Sequence, residues 1–417
     1  MKKFIFLFAI IIAFLSGCSD DFDQVQEQQG ETVYVKDRVV SALQAQAFAE
    51  KAIEAIQTNG DTALIKNSVV RSIKSVEPIK ALDGNVVLHI VNFEDNQGYM
   101  VLSADKEAPN PMLSFDVRGN FDPRNIDEDS PVWVWLEERK EVISENIKSG
   151  INEDHQGYEL WNYIIENEDG EISIEIGSAE EMNNVKNESA QLRGTYPNPT
   201  GRPTISPWND VRYNTWGQGA GYNADAPIRN ALVGCPAVAI GILCKTHRYP
   251  SKYEYSSMPN VLNATSSNSI SRMFRDIANN IPGYVWGLNS SGALPGDIIT
   301  GLKRLGYNSA KQKSYDSWTA YANIRDWYPV LLAGYPRSGQ GGHIWIADGY
   351  YEQTWKFTKK NKVLGITVST STWYEYMSTF YMNWGWNGDG DGWVDEADWS
   401  SAGYNYNKLL FYDLFPR

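Results

Sequence analysis

Three cysteines and four histidines, among 417 residues, are the thiol nucleophiles and neutral-pH bases that this chain can offer. Cys235 follows Val233-Gly234 and precedes Pro236-Ala237-Val238-Ala239-Ile240-Gly241, a pattern that predicts a helix near 235–247 opening at the cysteine. Proline suits the first turn of a helix, where its missing N–H costs nothing. A cysteine at a helix N-terminus has its thiolate favoured by the helix dipole and by free N–H groups. The same position equally suits a buried cysteine that packs as a small hydrophobe. A thiol nucleophile needs a base within hydrogen-bond reach. His247 lies twelve residues along the same helix, about 18 Å away by helical rise, and cannot touch Cys235. His89 and His155 belong to the first half of the chain, which leaves His343, just after Gly341-Gly342. A satisfied histidine at the start of a strand is the alternative for His343; elimination favours pairing it with Cys235.

Two other segments carry polar groups that such a pair would use. Tyr213-Asn214-Thr215-Trp216-Gly217-Gln218-Gly219 precedes the cysteine, and Tyr381-Met382-Asn383-Trp384-Gly385-Trp386-Asn387-Gly388 follows the histidine. An amide such as Asn383 can hold the ring of a histidine base, the third role in a triad, and Trp384 can shield the pair from water. A structural Asn-Trp-Gly-Trp hairpin is the alternative. Cys235 and Cys244 are nine residues apart on the expected helix, about 13 Å of rise, beyond the ~7 Å Cα separation of a disulfide.

The elements around these residues divide the chain. Net charge is −14 in all, with −18 over residues 1–200 and +4 over residues 201–417; twelve of the 15 Trp lie in the second half. That imbalance fits an acidic unit covering a slightly basic one. The net negative charge argues against nucleic acid as a partner, and 13% aromatic residues exclude a disordered chain. The first half reads as α+β: a helix from Ala42 through Ile56, a hairpin of Asn85–Phe93 and Gly98–Ser103, and a helix from Pro131 to Lys148. Residues 180–207 lose periodicity and collect turn formers, as a linker does, with Lys186 and Arg193 as candidate cut sites. Further helices near 235–247 and 296–305, a strand over 327–335, and Gly- and aromatic-rich strands complete the second half.

Lys2 and Lys3 precede an apolar run from Phe4 to Leu15, too short to span a membrane but suited to a signal peptide. Leu15-Ser16-Gly17-Cys18 resembles a bacterial lipobox, which implies cleavage before Cys18 and acylation of its thiol. The expected organisation is a lipoprotein signal peptide over 1–17, a tether over 18–30, a pro-domain over 31–195 and a catalytic domain over 196–417. A cell-envelope location follows, with the protein lipid-anchored to a membrane through Cys18.

Gly217-Gln218, Gly234-Cys235 with its helix, Gly342-His343 through Asp348-Gly349, and Asn383-Trp384-Gly385-Trp386 together resemble, in order, the streptopain family of secreted papain-like cysteine peptidases. The likeness spans roughly residues 205–417. Ile90-Val91-Asn92-Phe93-Glu94-Asp95 and Tyr99-Met100-Val101-Leu102-Ser103-Ala104-Asp105 are similar to the family's propeptide. The resemblance implies an α+β fold, a papain-like two-lobed catalytic domain preceded by an α+β inhibitory pro-domain. It implies Cys235 as nucleophile, His343 as base and then acid, and an oxyanion hole of the Gln218 side chain and the Cys235 N–H. Asn383 would orient His343, with Trp384 beside it. The implied partners are protein or peptide substrates and the chain's own pro-domain as inhibitor. Pro236, and Gly241-Ile242-Leu243-Cys244 in place of a more usual Ala-Gln-containing helix, depart from the family pattern.

The chemistry needs no metal or cofactor, and none is expected. Asn387-x-Asp389-x-Asp391-Gly392, ending at Asp398, does fit the spacing of a calcium loop, with solvated acidic neighbours of a hairpin as the alternative. A catalytically idle surface lipoprotein that binds peptides or glycans is the rival to a cysteine endopeptidase made as a zymogen. A cell-wall amidase or acyl transferase would use the same Cys–His pair.

Overall fold

The computed structural model describes residues 38–59, 70–150 apart from 109 and 129, 157, 160–161, 164, 170–176, 209–336, 341–363, 366–396, 404 and 406–416. The expected signal peptide, tether and 180–207 linker with Lys186 and Arg193, together with His155 and Asp398, lie outside these residues. Among the described residues no helix is long and apolar enough to cross a membrane.

The chain is α+β as expected. In the first half, helix α1 (Ala42–Asn59) precedes strands β1 (Ile73–Lys80), β2 (Val86–Phe93), β3 (Tyr99–Ser103) and β4 (Met112–Asp116), helix α2 (Pro131–Lys148) and strand β5 (Gly170–Ile176). Ala45, Phe48, Ala49, Ala52, Ile53 and Ile56 recur at helical spacing and form the buried stripe of α1. Helix α2 starts at Pro131, where the Ser130 side chain accepts from the Trp133 N–H at 3.2 Å. The expected hairpin is β2–β3, closed by a turn in which Asp95 and Asn96 take positive φ.

The second half contributes helices α3 (Asn209–Tyr213), α4 (Cys235–His247), α5 (Ser269–Asn280), α6 (Pro295–Arg304) and α7 (Ser317–Arg325). Its strands are β6 (Lys311–Ser314), β7 (Val330–Tyr335), β8 (His343–Val363), β9 (Ile366–Asn383), β10 (Gly392–Asp395) and β11 (Tyr406–Tyr412). Helix α4 is apolar all round and buried as a core helix must be. Gly241 lets α5 close on it, since a Cβ there would stand 2.4 Å from the Phe274 ring. This accounts for one departure from the family pattern.

The two halves share one sheet. Strand order is β1-β2-β3-β4-β10-β9-β8-β7-β11-β6, with β5 added to β8. The acidic half therefore does more than cover its neighbour: β4 pairs antiparallel with β10 through Phe115↔Trp393 and Ser114↔Val394. Strand β5 runs antiparallel along β8 from Ile176↔Trp355 to Gly170↔Asn361. Strands β8 and β9 form a hairpin far longer than the usual five or six residues per strand. Its outer portion buries Trp355, Phe357 and Trp373 in one cluster with the stripe of α1.

Candidate active site

Helix α4 begins at Cys235 because Gly234 turns the chain with φ +91°. A Cβ at Gly234 would stand 2.5 Å from both the Ser291 carbonyl oxygen and the Tyr284 hydroxyl, so only glycine fits. Glycine brings no capping side chain, and Tyr284 from a distant loop stands in for one. Its hydroxyl donates to the Val233 carbonyl at 2.6 Å and sits against the Ala237 N–H. Nothing in the sequence singled Tyr284 out.

Cys235 is partly exposed and, like Cys244, free. Burial of its sulfur pushes the thiol up to about 11, opposed by the backbone N–H groups of Ile344 and of Cys235 itself. The Ile344 N–H belongs to the residue after His343, so the start of β8 lies against the expected nucleophile one residue from the expected base.

His343 is buried, and its Nε2 lies 2.8 Å from the Trp384 carbonyl oxygen. A carbonyl can only accept, so Nε2 carries the proton and Nδ1 is the nitrogen left to act as base. Burial lowers its pKa to about 4, against the raising effect of the Trp384 bond. The ring stacks on Trp345 at 5.8 Å between centroids and 9° between planes, with Trp384 at 6.5 Å and Tyr404 at 5.8 Å.

Asn383 does not touch His343, and that expectation is corrected. The register of β9 sets Asn383 opposite Ile346, beyond the histidine. Its amide nitrogen donates instead to the Val211 and Asn214 carbonyls, and its Oδ1 accepts from the Gly385 N–H at 3.0 Å. Gly385 N–H and Trp384 C=O are the two ends of one planar peptide unit. Asn383 thus fixes the peptide that fixes His343, one step removed from the expected contact.

Gln218 is buried, and its carbonyl accepts from the Val233 N–H at 2.8 Å, which holds it beside the approach to Gly234-Cys235. The loop carrying it is steadied by Asn214, whose Oδ1 accepts from the Trp216 N–H at 3.0 Å. The four expected segments converge at the junction of α4, the start of β8 and the end of β9.

Two acidic residues of the suggested calcium loop have protein partners. Asp391 Oδ1 accepts from the Trp384 N–H and Asp395 Oδ2 from the Asn110 amide, both at 2.8 Å. Gly392 to Asp395 are strand β10. Among the described residues no group of His, Cys, Asp and Glu is placed to hold a metal ion.

The first half reaches this site through α2. Val132, Trp135 and Leu136 share a buried cluster with Trp345, Trp384 and Tyr404, the aromatic wall around His343. The Tyr99 hydroxyl donates to the Asp391 carbonyl at 3.2 Å, and Arg118 to the Arg212 carbonyl at 3.3 Å.

Comparison with known proteins divides the chain the same way. The Spi protease inhibitor family model matches residues 37–143, and the Peptidase C10 family model matches residues 251–394. The second match contains His343, Asn383 and Trp384 and begins after Gln218 and Cys235. No curated protein sequence matches the chain. A solved fragment of Prevotella intermedia prointerpain A, carrying a cysteine-to-alanine substitution, is similar in fold. It shares 16% identity at a TM-score of 0.52, over 83% of this chain and 100% of that one. Over residues 251–394 the chain carries the match to the Peptidase C10, or streptopain, family, and with the inhibitor match ahead of it the chain is a cysteine peptidase zymogen with an inhibitor-type propeptide.

Proposed function

We propose that this zymogen is an exported, lipid-anchored endopeptidase in which Cys235 attacks the peptide carbonyl and His343 moves the proton. The observation that carries it is the meeting of the Cys235 thiol with the Ile344 N–H, next in the chain to a histidine whose Nε2 is held by the Trp384 carbonyl. His343 Nδ1 takes the thiol proton as sulfur bonds to the scissile carbon. The tetrahedral oxyanion is held by the Cys235 N–H and the Gln218 side-chain amide, each such donor contributing about 3 kcal/mol in comparable sites. The imidazolium then gives its proton to the leaving amine, and water, activated by the same ring, hydrolyses the thioester. Pro236 leaves this machinery intact, because only its own N–H is missing.

In the zymogen the thiol stands near 11 and the imidazole near 4, so the proton stays on sulfur and the pair rests neutral. Displacing α2 from Trp345, Trp384 and Tyr404 admits water to His343, raises its pKa toward the ordinary value and lets the proton move. Cleavage in the 180–207 linker is the step that frees the first half. The apolar run Phe4–Leu15 and Cys18 support export and an acyl anchor, which put the protein at the bacterial cell envelope, on the outer membrane or cell surface.

Incubating residues 19–417, as wild type and Cys235→Ala, under reducing conditions and reading intact mass tests the reading. A fragment of about 25 kDa, starting within the linker, is expected from the wild type alone. Self-processing by the Cys235→Ala protein overturns it.

A further inference from the structure

The hydrogen bonds that hold His343 continue past Trp384. The Trp384 carbonyl takes the His343 Nε2–H, the Trp384 backbone N–H donates to Asp391 Oδ1 at 2.8 Å, and the Trp384 indole N–H donates to the Gly390 carbonyl at 3.1 Å. The peptide after Trp384 is held by Asn383, and the peptide before it by Asp391. A residue gripped at both its peptides and its ring cannot rotate its carbonyl away from the imidazole without breaking one of these bonds.

We infer that Asp391 is a positioning residue for His343, acting through the Trp384 main chain; this rests on the assignment of Cys235 and His343 proposed above. The Asp391 side chain matters as a hydrogen-bond acceptor of fixed reach. Its bond to Trp384 lies wholly within the catalytic half, so it persists when the first half departs. The Tyr99 hydroxyl on the Asp391 carbonyl, by contrast, leaves with the propeptide.

The test uses the full chain, activated by immobilised wild-type enzyme that is then removed, with kcat and KM measured on a peptide substrate. Asp391→Leu keeps the side-chain shape without an acceptor, Asp391→Ala removes it, and Asp391→Asn keeps an acceptor oxygen in place. Asp391→Leu and Asp391→Ala are expected to lose about 10- to 100-fold in kcat with KM within about twofold, the scale of a small misplacement of catalytic groups. Asp391→Asn is expected to stay within about threefold of wild type in kcat, because its amide oxygen accepts the same bond. Wild-type kcat in either acceptor-free variant overturns the inference, and so does Asp391→Asn falling as far as they do. Failure of both acceptor-free variants to fold assigns Asp391 to stability alone and overturns it too. Activity retained by Cys235→Ala in the same assay identifies failure of the underlying assignment instead.

Discussion

Helix α4 carries a cysteine at its start and another near its end, and a histidine belongs to the surroundings of each. Burial pushes Cys235 up to about 11 and Cys244 up to about 12. Cys235 is partly exposed and faces backbone N–H groups at a helix N-terminus and at the start of β8. Cys244 is fully buried, with the Tyr307 hydroxyl as its neighbour, and that hydroxyl lies 3.3 Å from His247 Nδ1. His343 and His247 are both lowered to about 4 by burial. Thiol, histidine and desolvation are thus present at both ends. The difference is access for a substrate and unused backbone donors, which a helix supplies only at its N-terminus. On that difference rests the proposal of Cys235, and not Cys244, as the nucleophile.

The sharpest way to break this comparison is to remove each cysteine in turn. Cys235→Ala is expected to lower protein hydrolysis by about 10³-fold or more. Cys244→Ala is expected to keep activity within about twofold and to lose about 1 kcal/mol in denaturant unfolding, the cost of a small core truncation. Casein cleavage by processed protein and urea titration of the zymogen check the two. Equal loss of activity in both variants would refute the asymmetry.

The histidines come next. His343→Ala is expected to cost about 10²- to 10⁴-fold in activity, the range for a general acid–base. His247→Ala should leave turnover unchanged in the same casein assay, because its ring serves Tyr307.

A pH titration sharpens the comparison without changing the reaction. A histidine held near 4 in the fold and near 6.5 unfolded takes up its proton first in the unfolded chain. Stability is therefore full above pH 6.5 and falls as pH drops from 6.5 to about 4, by up to about 3 kcal/mol for His343. His247, and His89 in the first half, act in the same direction. Urea unfolding of the zymogen across this window should steepen toward acid, and His343→Gln should flatten the curve. The smallest expected effect is on the cap: Tyr284→Phe should cost about 1 kcal/mol, as loss of a helix N-cap does, and lower kcat more than it raises KM.

Much of the site was legible because its signals are local. Gly234-Cys235-Pro236 encodes a turn and a helix start, and elimination among four histidines needed only helical rise for His247 and the division of the chain for His89 and His155. Asn383 was placed in the right loop with the wrong contact: register along β9 cannot be read from one strand, and a slip of residues changes which neighbour an amide meets. Tyr284 was invisible because it reaches Gly234 from a loop fifty residues away, with no pattern of its own. The acidic loop 387–398 matched a metal spacing, while in the structure one oxygen each of Asp391 and Asp395 accepts from Trp384 and Asn110.

The amino-acid sequence by itself determined the two unequal halves and the helix that presents Cys235, and it nominated a thiol and a base, since composition, turn residues and helical period are properties of the chain alone. Only the tertiary structure decided that the halves share one sheet through β4 and β10, that Trp384 rather than Asn383 meets His343, and that residues of α2 join one buried cluster with the aromatic wall around it. Those outcomes depend on strand register and on packing between distant segments, where a shift of one residue changes every contact and leaves the local pattern the same.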